Sequence, residues 1–314
     1  MTRSPYSAGH FELSIDGHPV TSYLRSVEGG NVKVSVGDAS IGNDNFHIKS
    51  GVVNEIEPLS IEFGMASAGG MLKWIQQSWR KSWTTRNGQV THADFNMNAT
   101  VEHQFTGALI AETSFPTLDG KSTEAAMMKC RLQPQGVLRN QVAGNGFKLG
   151  AQLSQKQKSW SPARFRMNID GYDGFQHANK IDGFTIKQEI TKMYSGVDRY
   201  PQIAPSGLTF PNISGTVAES KAGQILQWFN KVSNEGMLEA QAQTSGSIEF
   251  LAPDLSTVLF RLNLYEVGIL YAGNEAAQAN SDTIKRVKFE LFVGRMDLDG
   301  ESANGLDGSA GIGL

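Results

Sequence analysis

Six histidines (His10, His18, His47, His92, His103 and His177) and one cysteine, Cys130, are the residues best able to ligate a metal or attack a substrate. Zinc chemistry needs them clustered, as in His-Glu-x-x-His or paired Cys/His ligands, and here they stand apart along the chain. Cys130 falls on a segment of alternating apolar and polar residues, where a buried structural thiol is expected rather than a nucleophile. Asp16 and Asp170 could form a carboxylate pair, but each precedes glycine in a turn signal that explains it locally. Gly144-Asn-Gly-Phe-Lys-Leu-Gly150 lacks the spacing of a dinucleotide fingerprint. Asp297–Glu301 places its glycine wrongly for a calcium loop, and there is no Gly-x-Ser-x-Gly elbow. The sequence offers no catalytic, metal or cofactor constellation, and a non-enzymatic protein is expected.

One set of residues could bind nucleic acid. The stretch 125–169 has no acidic residue and carries Lys129, Arg131, Arg139, Lys148, Lys156, Lys158, Arg164 and Arg166. A nearby segment interleaves Trp74, Trp79 and Trp83 with Arg80, Lys81 and Arg86. Basic residues among aromatics hold nucleic acid by phosphate contact and base stacking. The whole chain is nearly neutral, at −3 with 28 basic and 31 acidic residues, so the long-range field of a nucleic-acid binder is missing. These tryptophans are better read as core or subunit contacts.

The 314 residues suffice for two domains, and 39% hydrophobic residues suffice for packed cores. A single cysteine excludes an intrachain disulfide framework. No apolar run is long enough to span a membrane, and the first residues lack an apolar signal core, so a soluble chain made and used in the cytoplasm, or exported by something other than a signal peptide, is expected.

The elements come in two sets, because the chain repeats itself. Phe11-Glu-Leu-Ser-Ile-Asp-Gly17 returns 154 residues later as Phe165-Arg-Met-Asn-Ile-Asp-Gly171. The same offset carries Gly29 to Gly183, Lys33 to Lys187, Ala68-Gly69 to Ala222-Gly223, Leu72 to Leu226 and Trp74 to Trp228. Over positions 11–75, 13 residues are identical without a gap. Beyond the first helix the offset becomes 159, placing Cys130 on Phe289. Duplication is the best explanation. Each copy reads as a strand ending in an Asp-Gly hairpin signal (11–15 or 165–169), a strand marked by the alternation of Val32, Val34 and Val36 or, more weakly, of Ile186, Gln188 and Ile190, a loop (37–51 or 191–207), a further strand (58–63 or 208–217), one helix, and more strands. The helices are expected over 68–83, capped by Ser67, and over 221–234, capped by Ser220. Strands then follow at 99–113, 127–132, 247–250, 258–271 and 284–293. The fold class is mainly β with α: two tandem β-barrel or sandwich domains, each with one flanking helix. The expected boundaries are 1–134, a linker over 135–162, 163–298, and a Gly-rich tail over 299–314.

These motifs carry a resemblance. The strand Phe11–Gly17, the entry Val27–Gly29 and the helix pair Leu72 and Trp74, repeated as Phe165–Gly171, Ile181–Gly183 and Leu226 and Trp228, resemble the tail-tube protein family of contractile phage tails and contractile injection systems. The family implies a small β-barrel or sandwich with one flanking helix, whose sheets pair around a lumen, in rings that stack into a tube. The chain departs from it by carrying two such units, and by having Phe46-His47 where the second copy has Tyr200-Pro201.

The resemblance implies a structural ring component of a phage-tail-like inner tube, a conduit for DNA or effector proteins. The alternatives are a tube-initiating or baseplate hub ring and, in another class, a nucleic-acid- or glycan-binding β-protein. Expected partners are further copies of the chain, as a trimer with pseudo-six-fold symmetry, other tube, sheath or baseplate proteins, and a cargo in the lumen. No membrane is expected, and the destination is a virion tail or injection particle assembled in the bacterial cytoplasm. Phe46, His47, Tyr200, Trp74, Trp228, Trp79 and Trp83 are the candidate interface residues.

Overall fold

The computed structural model describes residues 10–20, 24–40, 47–65, 68–80, 84–94, 96–142, 149, 160–195, 200–235, 243–275 and 285–299. The first half contains β1 (His10–Ile15), β2 (His18–Pro19), β3 (Leu24–Gly29), β4 (Val32–Ser40), β5 (His47–Ile56) and β6 (Leu59–Gly64). After α1 (Gly69–Trp79) come β7 (Arg86–Ala93), β8 (Ala99–Phe115), β9 (Leu118–Asp119), β10 (Met127–Gln133) and β11 (Gly136–Gln141). The second half contains β12 (Phe165–Ile169), β13 (Ala178–Ile181), β14 (Phe184–Met193), β15 (Gln202–Thr209) and β16 (Ile213–Ala218). It closes with α2 (Gly223–Glu235), β17 (Thr244–Leu251), β18 (Val258–Asn274) and β19 (Arg286–Leu298). Among the described residues the protein is mainly β with two α-helices, and its sheets form sandwich and half-barrel arrangements.

Alternation builds the strands. In β6, Leu59, Ile61 and Phe63 are buried while Ser60 and Glu62 are half-buried between them. In β10, Met128, Cys130 and Leu132 point inward, and Cys130 pairs with Ile61. A period of two puts each apolar set on one face, and a slip of one residue would turn it to solvent. The buried side chains of both halves join in one continuous core.

The two halves have the same connectivity. The first sheet runs β1-β7-β8-β10-β6-β3 and the second β12-β17-β18-β19-β16-β13. The registers agree residue by residue: Cys130 opposes Ile61 as Phe289 opposes Gly215, and Val27 opposes Ile61 as Ile181 opposes Gly215. Even the irregularities coincide. β8 bulges at Ala111, the residue skipped between Glu112 and Ile110, and β18 bulges at Leu270, skipped between Tyr271 and Ile269. Four residues before each bulge the chain turns left-handed, at Gly107 (φ 58°) and Glu266 (φ 56°). A glutamate in that region is strained by roughly 1–2 kcal/mol, so the backbone there is dictated by the sheet rather than by the residue.

Several expectations need correction. The loops expected over 37–51 and 191–207 are largely strand: β4 pairs with β5 and β14 with β15 in two long hairpins. Each hairpin has its bulge at the same place, after Ser35 and after Glu189. The strand expected over 208–217 is divided between β15 and β16. The first part of the expected linker is β11, which pairs with β8, and its last part brings Trp160 into the core. Helix α1 starts after Ala68, which makes no side-chain cap bond, and ends at Trp79; Ser67 lies outside the described residues. Ser220 sits in a 3-10 turn (Glu219–Lys221) before α2 rather than capping it.

Candidate assembly interface

Among the described residues no three potential metal ligands converge. Cys130 is fully buried, and burial pushes its thiol up to about 12, which makes it inert. The Asp16 carboxylate accepts hydrogen bonds from Arg86 Nη1 (2.6 Å) and the Asn87 N–H (3.0 Å), clamping its turn to β7. The basic stretch is partly neutralised. Glu249 is buried and takes Arg166 Nε and Nη2 on one oxygen (2.9 and 2.8 Å) and Arg261 Nε and Nη2 on the other (3.0 and 2.9 Å). Two guanidinium forks on one carboxylate satisfy its lone pairs and hold β12, β17 and β18 in register.

Folding brings together one pair that the sequence keeps apart. The rings of His92 and His103 lie 6.0 Å apart, edge to face, on adjacent strands β7 and β8. Burial holds both imidazoles below the usual range, helped by the charge of Arg139. His103 and Arg139 line a pocket of about 230 Å³ together with Val32, Leu59 and Leu138. Cross-strand distance explains why spacing along the chain gave no hint of it.

The most elaborated contact is the one between the halves. Strand β14 of the second half adds to the edge of β8 in the first, antiparallel, with Phe184, Thr185, Ile186 and Lys187 opposite Phe115, Ser114, Thr113 and Glu112. The Ser114 and Thr185 hydroxyls are 2.8 Å apart, and the Phe115 and Phe184 rings stack at 4.9 Å. Strand β9 reciprocates by pairing with β13 in the second sheet. The hairpin then lies along α1: Ser78 Oγ donates to Gln188 Oε1 (2.8 Å), and Trp79 meets Phe115 and Phe210. On the same last turn of α1, Gln76 Nε2 donates to the Leu298 carbonyl (2.7 Å), and Arg80 forks onto Asp297. Ion pairs this exposed contribute at most about 1 kcal/mol; the buried apolar surface dominates.

The residues expected at interfaces are distributed accordingly. Trp79 stands at the boundary between the halves and is almost fully buried there. Trp74 and Trp228 are buried in the chain's own core: Trp74 Nε1 donates to the Thr84 carbonyl (3.1 Å), while Trp228 is stacked on Tyr172 at 4.2 Å. Leu72 is buried and its counterpart Leu226 only half-buried. Tyr200 is half-buried at the entry to β15, and His47 begins β5. Phe46 and Trp83 lie outside the described residues. The contact set of Phe115, Phe184, Ile186 and Gln188 was missed; its only sequence signal was the alternation at the start of β14.

Residues 7–138 match the family model described as the T4-like virus tail tube protein gp19. The similarity to a tail tube protein is thus carried by this segment of the chain. No curated protein matches the chain. Among solved structures, the chain aligns with the sheath-tube complex of the PVC extracellular contractile injection system at 14% identity, covering 45% of this chain and 94% of that one, with a TM-score of 0.40. The tube-terminating cap of the anti-feeding prophage aligns at 13% identity over 45% of this chain and 95% of its own, with a TM-score of 0.38. Hcp1 from Flavobacterium johnsoniae aligns at 12% identity over 43% and 94%, with a TM-score of 0.27.

Proposed function

We propose that the protein is a structural, ring-forming component of a phage-tail-like inner tube, and that each chain supplies two tube units to the ring. The observation that carries this is the second half's repetition of the tail-tube domain's strand order, registers and bulges. The first unit runs through β11 and the second begins near β12. Three chains close a ring of six units with pseudo-six-fold symmetry. The junction inside each chain occupies a position that separate subunits would otherwise share. Rings stack into a conduit for DNA or effector proteins, in a virion tail or injection particle, in contact with tube, sheath or baseplate proteins. The role is mechanical: strand edges are satisfied by neighbours, and a conduit needs no catalytic group.

Negative-stain microscopy of the purified protein tests this reading. Rings or stacked tubes with a central hole are expected. A monodisperse single-chain particle across a hundredfold concentration range would overturn it.

A further inference from the structure

The internal junction is repeated only halfway. Hairpin β14–β15 has a seat, on β8 and α1, whereas hairpin β4–β5 forms a separate two-stranded sheet that joins neither larger sheet among the described residues. The two hairpins are equivalent in every pairing: Lys33 opposes Glu55 as Lys187 opposes Thr209, and Val36 opposes Gly51 as Ile190 opposes Pro205. Yet Ile186 is 1% exposed and its counterpart Val32 is 41% exposed. Val34 and Val36 continue the same bare face.

The seat is likewise present twice and filled once. Strand β18 corresponds to β8, and residues Tyr271–Asn274 correspond to Glu112–Phe115, the stretch that β14 covers. On β18 that stretch pairs with β19 on one side and, among the described residues, with no strand on the other. Leu270 and Tyr271 are exposed there. The helices differ in the same sense. On α1, Ile75, Gln76, Ser78 and Trp79 are buried; their counterparts on α2, Phe229, Asn230, Val232 and Ser233, are half-buried or exposed. Of nine exposed large hydrophobic residues among those described, five (Val32, Val34, Val36, Leu270 and Tyr271) lie on this unfilled seat and this unseated hairpin.

We propose that β4 of one chain adds to the open edge of β18 in a second copy of the chain, antiparallel, with Val32 opposite Ala272 and Lys33 opposite Tyr271, and that hairpin β4–β5 lies across α2 of that copy. The proposal rests on the tube reading above and names its subunit contact. The contact is head-to-tail, first half to second half, so it propagates from chain to chain until the ring closes. It would cover the bare valines and pair the backbone groups of an edge that otherwise invites aggregation. It also accounts for the unequal burial of α1 and α2: α1 is covered by its own chain, and α2 waits for the next one.

Directly opposed residues on an antiparallel pair stand about 5 Å apart between Cβ atoms, within reach of a short bis-maleimide. The full-length chain carrying both Lys33→Cys and Tyr271→Cys should cross-link between chains at least tenfold more than either single variant. An equimolar mixture of the two single variants should give linked pairs. Microscopy of the same samples separates the two failures. Rings without cross-linking above the single variants would overturn the pairing and leave the tube reading standing; monomers without cross-linking would overturn both. Hydrogen exchange on the unaltered protein guards against variants that fail to fold. Amides within 30–33 and 271–274 should slow at least tenfold between dilute single chains and assembled particles, and unchanged exchange in assembled particles would overturn the contact.

Discussion

His92 and His103 illustrate how a residue acquires a property from its strand rather than from its neighbours in sequence. Burial on adjacent strands disfavours the charged imidazole, so both take up protons at lower pH than they would in the unfolded chain, near 6.5. Between the folded and unfolded values the unfolded chain binds more protons. Stability is therefore full above about 6.5, declines as pH falls through that window, and levels off below the folded pKa. A His92→Gln, His103→Gln variant should lose less stability than the parent between pH 7.5 and 5, as measured by urea midpoints; equal acid sensitivity would contradict the burial. Trp228 makes a simpler case. It is buried between the stacked ring of Tyr172 and the edge of Phe175, so Trp228→Ala should cost about 3–5 kcal/mol. An unchanged thermal midpoint would mean that the side chain is not in the core.

Elements were legible where burial writes a period into the sequence. Strands β6, β10 and β18, both helices and the repeat that relates the halves follow from alternating or helically spaced apolar residues and from the recurrent Ile-Asp-Gly and Leu-x-Trp patterns. The hairpins β4–β5 and β14–β15 were not legible over most of their length. Beyond Phe184 and Ile186 they stand outside the main core, so Gly, Asn, Asp and Pro can occupy positions that would be apolar in a buried strand, and the segments read as loops. Strand β11 escaped for the same reason: its sequence Gly-Val-Leu-Arg-Asn-Gln is polar and largely exposed, and only its pairing with β8 makes it a strand. The junction itself joins residues about 70 apart along the chain (Phe115 and Phe184), which no local pattern encodes. Its strength is measurable at Ile186, which is buried where β14 meets β8. Ile186→Ala should cost about 2–4 kcal/mol in urea unfolding. A loss below about 1 kcal/mol would show the hairpin to be loosely attached.

At the scale of the whole molecule, the proposed covalent duplication changes what a ring can do. In a ring of identical single-unit subunits every junction is the same. In the ring proposed above, half the junctions lie within a chain, where no association entropy is needed to form them, and half lie between chains. The halves differ at the positions where the two kinds of junction fall in this proposal. Phe184, Ile186 and Trp79 close the internal junction, whereas Gly30, Val32 and Ser233 stand at the corresponding places of the proposed external one. In that proposed ring, alternate positions around the lumen would present different surfaces to cargo or to the next ring. The mass and symmetry of the assembled ring test this account most directly, by native mass spectrometry together with averaged images viewed down the axis. The expected result is a mass of three chains and six lobes in which alternate lobes differ. Six chains in two unlike layers with strict six-fold symmetry, or a particle that never exceeds one chain, would contradict it.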